Sequence, residues 1–335
     1  MQKSVDMAKV YNPIYDSVFK HLMTDKKAAK VLLGNLLQKH IDDLTLKNNE
    51  YTVVSQDGVK IVRLDFAATI IGENGDKELA TIELQKAFDP EEVVRFRKYL
   101  GAQYQSDENT IAEIKKHRNG EKYTVLKPIH IYAIYILGHS LGAGWEFSVM
   151  KSKYIFVDDE GKKLEIPKHN EFTDGLIHDV IIVQIPHLSQ KPKNHLESLL
   201  SIFDQTQIID PKNPVFINLD ENKDMSDDYQ TLVKNLLIAT SDEDVRGQVD
   251  FEREMDRKFA RDRYEKAVLK DALDDAQVEL TKKQQKLEEQ QNMLATKDSQ
   301  LATSIKLLAS VGVTIEQIAE KLNISVNDVK CLINN

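Results

Sequence analysis

Residues 60–87 constrain the fold more than any other stretch. They read KIVRLDFAATII, then GENGDK, then ELATIELQKA. Two runs rich in apolar and β-branched residues flank a Gly-Glu-Asn-Gly turn, the pattern of a β-hairpin. A turn centred near Asn74 sets position 65 opposite position 83. Side chains alternate between faces, so Asp65 and Glu83 become cross-strand neighbours, with Gln85 on the face of Glu83. Two carboxylates held face to face repel and lose hydration. A fold that places them there needs a cation or a proton between them. The competing reading makes Asp65 a solvent-facing strand residue, but RLDFAA and TIELQ embed both acids in apolar sequence.

Before the hairpin, residues 13–24 carry Tyr15, Val18, Phe19 and Leu22 at helical spacing, with Asn12 as N-cap and Pro13 at the first helical position. Asp16 lies in the first turn, and Lys20 follows one turn later on the same face. Residues 25–40 form a second amphipathic helix, and Tyr51–Ser55 a short strand leading through Gln56-Asp57-Gly58 into the hairpin. After it, Asp89-Pro90-Glu91-Glu92 opens a helix running to about Ser106, on which Arg95, Tyr99 and Gln103 share a face. Residues 127–137, KPIHIYAIYIL, read as a buried central strand, with further strands at 145–150, 154–158 and 178–185. Helices follow at 195–204 and 228–239. This order predicts an α/β fold, a mixed sheet flanked by helices.

From Ser241 the character changes. Leu273, Leu280, Leu287, Leu294 and Leu301 recur every seven residues, while the companion seam holds Gln277, Gln284, Gln291 and Asp298. A strong zipper needs both seams apolar, so 261–302 reads as a long helix, either a weakly pairing coiled coil that assembles a homo-oligomer or a solvated stalk. In the tail, 303–335, Thr314 and Gln317 form a capping box before IEQIAEKL, and Ser325 caps VNDVKCLI. Two such short helices resemble a helix-turn-helix, although Lys330 is the one basic residue in the second.

A length of 335 residues predicts two or three units. The formal charge of -9 counts against tight, indiscriminate DNA binding, yet leaves phosphodiester chemistry open. The single cysteine, Cys331, excludes a disulfide framework and fits a cytoplasmic protein. No signal peptide or eighteen-residue apolar run is present, so no membrane association is expected. The nine histidines offer no HExxH pair, and neither a dinucleotide nor a P-loop glycine pattern occurs.

Hard oxygen ligands facing one another suit magnesium, with manganese as a substitute, and such an ion can activate water for phosphodiester hydrolysis. The candidate ligands are Asp65, Glu83, the backbone carbonyl of Leu84 and Asp16. Gln85 could orient the attacking water, but it cannot act as a charged base. Arg95 and Lys20 are candidate phosphate contacts. Tyr99, on the same helix face as Arg95, is a further candidate substrate contact, though it and Tyr104 suit packing with exposed hydroxyls better than chemistry.

In order and spacing these residues resemble the PD-(D/E)XK nuclease superfamily, and within it the recombination-promoting nuclease family often labelled transposases. Asp16 and Phe19 fit that family's first helix, and Asp65 its second core strand. Glu83-Leu84-Gln85 stands where the wider superfamily has Glu-x-Lys. Arg95, Tyr99 and Tyr104 fit the helix after it, and Tyr123, Leu126 and Pro128 the approach to the apolar strand. The resemblance spans roughly residues 8–205. It implies a restriction-endonuclease-like core and a magnesium-dependent DNA endonuclease linked to recombination or mobile elements. The organisation expected is a nuclease-like core at 1–205, a helical extension at 206–260, the long helix at 261–302 and the tail at 303–335. The alternative is a catalytically silent nuclease fold acting as a DNA-binding or protein-interaction module.

Overall fold

The computed structural model describes residues 7–47, 50–55, 58–63, 65–88, 92–165, 170–188, 192–220 and 226–334, with backbone alone at 50–55, 58–63, 92, 171 and 334. The connector at 56–57 and the helix opening at 89–91 lie outside them. Two compact units emerge, Met1–Met255 and Asp256–Asn335.

The first unit begins with strand β1 (Met7–Tyr11), helices α1 (Asp16–Thr24) and α2 (Lys26–Leu37), and strands β2 (Asp43–Leu46), β3 (Glu50–Ser55), β4 (Gly58–Arg63), β5 (Phe66–Ile71) and β6 (Lys77–Gln85). Helix α3 (Glu92–Gln105) leads to β7 (Thr110–Lys116), β8 (Lys122–Pro128), β9 (His130–Leu137) and β10 (Val149–Lys151). Then come α4 (Glu171–Gly175), β11 (Asp179–Gln184), α5 (His195–Leu200), β12 (Phe216–Asp220) and α6 (Asp227–Ser241). Helix α7 (Glu243–Ser310) carries the chain into the second unit, which closes with α8 (Ile315–Leu322) and α9 (Val326–Asn334).

The main sheet has six strands in the order β10-β11-β9-β6-β5-β2. Strand β9 runs parallel to both β6 and β11, and the remaining pairs are antiparallel, so the sheet is mixed. Strand β6 lies at its centre, and five consecutive residues from Leu79 to Glu83 are buried. A strand covered on both faces does not alternate polar and apolar residues, which is why Leu79, Ala80 and Ile82 are apolar and the one hydroxyl among them, Thr81, is bonded to the Tyr132 carbonyl. Helices α1, α2 and α6 bury Phe19, Leu22, Leu32, Leu33, Leu36, Tyr229 and Leu232 in a core shared with the sheet. Residues 206–255 belong to this unit. Strand β12 pairs with β1, α6 is buried along Tyr229, Leu232 and Leu236, and Val245 and Val249 of α7 join the core.

Several expectations need correction. The first hairpin strand does not run unbroken from Lys60. Strand β4 turns back onto β3, and the main-sheet strand starts at Phe66. Helix α1 begins at Asp16 instead of residue 13. The Asn12 side chain accepts the Ile14 amide at 3.2 Å and its carbonyl the Tyr15 amide at 3.1 Å, closing a tight turn ahead of the helix. The strand expected over 127–137 is divided at Ile129, whose amide donates to Asn109, and its first part pairs with β7 as β8. Residues 154–158 form no strand, only a bridge from Val157 to Lys163. Of 145–150, only Val149 and Met150 are in a strand, because the Gln184 amide captures the carbonyls of Trp145 and Phe147. The long helix extends beyond 261–302 at both ends, and Leu273, Leu280, Leu287 and Leu294 are all exposed on it.

In the second unit, Thr314 and Gln317 form the expected reciprocal capping box. Ile305, Ile318, Ala319 and Val329 make a small core joining the end of α7 to α8 and α9. Among the described residues no helix is long and apolar enough to cross a membrane.

Candidate functional site

The β5–β6 hairpin sets the site's register. Gly75 adopts φ +77°, and its amide donates to the Gly72 carbonyl at 2.8 Å, closing the turn. Phe66 pairs with Ile82, so Asp65, one residue before the strand, falls opposite Glu83. Asp65 Oδ2 accepts the Leu84 amide at 2.6 Å. On the other side of β6, Glu83 is in register with Tyr135 of β9. Beyond β9, the Gly138 amide donates to the Gln85 carbonyl at 2.7 Å. A Cβ at Gly138 would lie 2.4 Å from the Lys86 carbonyl, so only glycine lets the two strand ends approach this closely.

Asp16 arrives from the first turn of α1. Its Oδ2 accepts Lys20 Nζ at 2.6 Å, while Oδ1 is buried without a partner. Glu83 is 6% exposed, and its Oε1 is likewise buried and unpartnered. Burial and the neighbouring Asp65 and Asp16 carboxylates push Glu83 up to about 10, against the opposing charges of Arg95 and Lys20. Asp65 is raised as well, first by burial and then by Asp16, with the Leu84 amide and Lys20 opposing. Tyr99 is raised by burial and by Glu83, and Tyr135 is raised to about 12 by the same two causes. These mutual effects place Asp16, Lys20, Asp65, Glu83, Arg95 and Tyr99 in one electrostatic neighbourhood. Gln85 joins it through Arg95, whose Nη2 donates to Gln85 Oε1 at 2.6 Å. Leu84 contributes its amide to Asp65.

Protonated carboxyls are the ligand-free answer to this crowding. The orphaned oxygens of Asp16 and Glu83 are hard donors held out of water, the chemistry a small divalent cation satisfies. The fit is open rather than caged: among the described residues no three Asp, Glu, His or Cys side chains are gathered closely enough to enclose an ion.

Two further residues belong to this neighbourhood. Tyr135 walls Glu83, and its place follows from alternation along β9 once the sheet order is known. Glu252 of α7 has no local sequence signal. Its carboxylate accepts the Asp16 amide at 3.0 Å and the Ser17 amide at 2.7 Å, supplying the cap that Tyr15 lacks. Lys86 Nζ lies 3.0 Å from the same carboxylate and 4.0 Å from the centre of the Tyr15 ring. Burial opposes the charge on Glu252, but Lys86 and the Ser17 contacts hold it below the usual carboxylate range. Glu252 thus anchors the helix turn that presents Asp16. Glu252→Ala is expected to cost about 1–3 kcal/mol of unfolding free energy, with Glu252→Gln recovering part of it, as read by urea denaturation. An unchanged midpoint in the alanine variant would remove the anchoring role.

His130 and His139 serve other contacts. His130 Nε2 lies 3.2 Å from Asp179, and the ring of His139 meets Phe88 edge-on. No model of a protein family, no curated protein and no solved structure matches the chain.

Proposed function

We propose that this protein is a divalent-metal-dependent DNA endonuclease, with magnesium as its ion and a restriction-endonuclease-like core. The observation that carries this reading is the crowding of three carboxyls, Glu83 with a buried, unpartnered oxygen beside Asp65 and Asp16. A fold gains nothing in stability from such an arrangement, so its use lies in what it binds. Asp65, Glu83 and Asp16, not gathered closely enough here to enclose an ion, would close on it as it binds, with the Leu84 carbonyl as a further oxygen. Once bound, the ion would supply an acidified water and a counter-charge for the developing phosphorane.

The chain's own groups have separate tasks. The Arg95 contact fixes the Gln85 side chain, which can orient a water or a phosphate oxygen but takes no proton. Lys20 holds Asp16 by charge and offers an ammonium to phosphate. Tyr99 and Tyr135, with raised pKa values, stay neutral at working pH and can donate hydrogen bonds without adding charge.

The test is nicking of supercoiled plasmid by purified protein with magnesium or manganese, set against EDTA. Metal-dependent conversion to open circles is expected. Folded protein that leaves plasmid, single-stranded and branched DNA intact would favour the rival reading, a silent nuclease-like scaffold. That rival draws on the open spacing of the carboxylates and on glutamine at position 85.

The exposed leucine stripe on α7 supports one partner, a second copy of the chain. A parallel, in-register pair sets leucine against leucine and glutamine against glutamine, whereas an antiparallel pair sets each against the other. Light scattering is expected to give a dimer that Leu280→Lys with Leu287→Lys dissociates. A monomeric wild type would end this part of the proposal.

A further inference from the structure

Strands β7 and β8 form a two-stranded sheet of their own. Residues 110–128 hold five Lys and Arg side chains against two Glu, in a chain whose net charge is -9. One face of this hairpin carries Ile114 and Leu126, exposed by 67% and 65%. Its outermost pair on that face is Lys116 directly opposite Lys122. Like charges in that position destabilise a hairpin. Glu121 in the turn offsets part of this charge and leaves the tip net positive. Glu113 is engaged by Lys115 and Lys127 on the opposite face, and Glu121 is bonded to Asn119 within the turn. Among the described residues no ion pair involves Lys116, Arg118 or Lys122, and all three are exposed.

The tip is nevertheless well organised. The His117 amide donates to the Glu121 carbonyl at 2.8 Å, the Gly120 amide to the His117 carbonyl at 3.0 Å, and the His117 and Tyr123 rings stack with centroids 4.2 Å apart. An ordered turn that gathers three unpaired cations is built to meet a polyanion. Seven-residue strands reach ~23 Å, and a two-stranded ribbon fits the major groove of a duplex. Along β9, His130 at the foot of the hairpin and Tyr135 beside Glu83 are five residues apart, or roughly 17 Å. The tip would therefore hold phosphates other than the one being cut.

We propose that the β7–β8 hairpin is a substrate arm that engages the phosphate backbone of duplex DNA through Lys116, Arg118 and Lys122. This deepens the endonuclease reading and rests on it. The test is binding of a labelled 30-base-pair DNA duplex in EDTA, across a salt series, by the full chain and by Lys116→Ala/Arg118→Ala/Lys122→Ala. At ~100 mM salt the triple variant is expected to bind at least about tenfold more weakly. Its log–log salt slope should flatten by about 2–3, matching three lost phosphate contacts.

Lys116→Glu guards against a merely structural effect. It replaces a repulsive cross-strand pair with an attractive one, so the thermal midpoint should hold or rise while DNA affinity falls. Equal affinity and slope in wild type and triple variant would overturn the arm and leave the endonuclease reading standing. A wild type that neither binds nor cuts DNA would overturn both. Lysine-dependent binding confined to duplex RNA would overturn the assignment to DNA.

Discussion

Asp65→Ala and Glu83→Ala should each reduce metal-dependent plasmid nicking by at least about a thousandfold, because losing an ion ligand removes both water activation and charge neutralisation. The two variants separate differently from wild type in stability. Asp65→Ala also removes the acceptor of the Leu84 amide, so the strand end should loosen. Asp65→Asn keeps an oxygen for that amide and isolates the loss of charge. Glu83→Ala deletes a buried, unpartnered acid and should leave the fold intact. Activity that persists at wild-type level in folded Asp65→Asn and Glu83→Ala would locate any nuclease elsewhere, or in a contaminant. Nicking rates on matched protein stocks, checked by circular dichroism, decide between these outcomes.

Much of this neighbourhood was legible because its main distances are set by local geometry. The Gly-Glu-Asn-Gly turn determines the register, and register alone sets position 65 against position 83. The helical spacing of Asp16 and Lys20 likewise appears as a 2.6 Å ion pair. What the sequence hides is long-range. Strands β1 and β12 are five residues each and lie some two hundred residues apart, so no turn announces their pairing. The break at Asp65 is equally silent, since a side chain capturing one amide leaves no period in KIVRLDFAATII. Glu252 stands in a helix crowded with charge, and only the packing of α7's first turns against α1 tells it from its neighbours. The start of α1 departs from its sequence signal for the same reason: Asn12 is a good cap in isolation, but it is buried and committed to Gln205 and Pro214.

Glu83→Gln should abolish cleavage and yet stabilise the ligand-free protein. The folded acid titrates near 10, against an ordinary value of 4.5. Between those limits the folded chain holds a proton that the unfolded chain has released, so this group's contribution to stability falls as pH rises. A neutral amide of the same shape carries no such penalty. Urea unfolding in EDTA should therefore favour the variant by about 5 kcal/mol near pH 8, a gap that widens from pH 6 to pH 9 and closes below pH 5. Magnesium should reverse the order. An ion that binds only the folded state stabilises it by mass action, and the wild type has the ligand that the amide lacks. The same burial that makes Glu83 a liability without metal makes its oxygen available to one. Equal stabilisation of both proteins by magnesium would mean that Glu83 is not a ligand. A variant no more stable than wild type at pH 9 would mean that Glu83 is not held protonated.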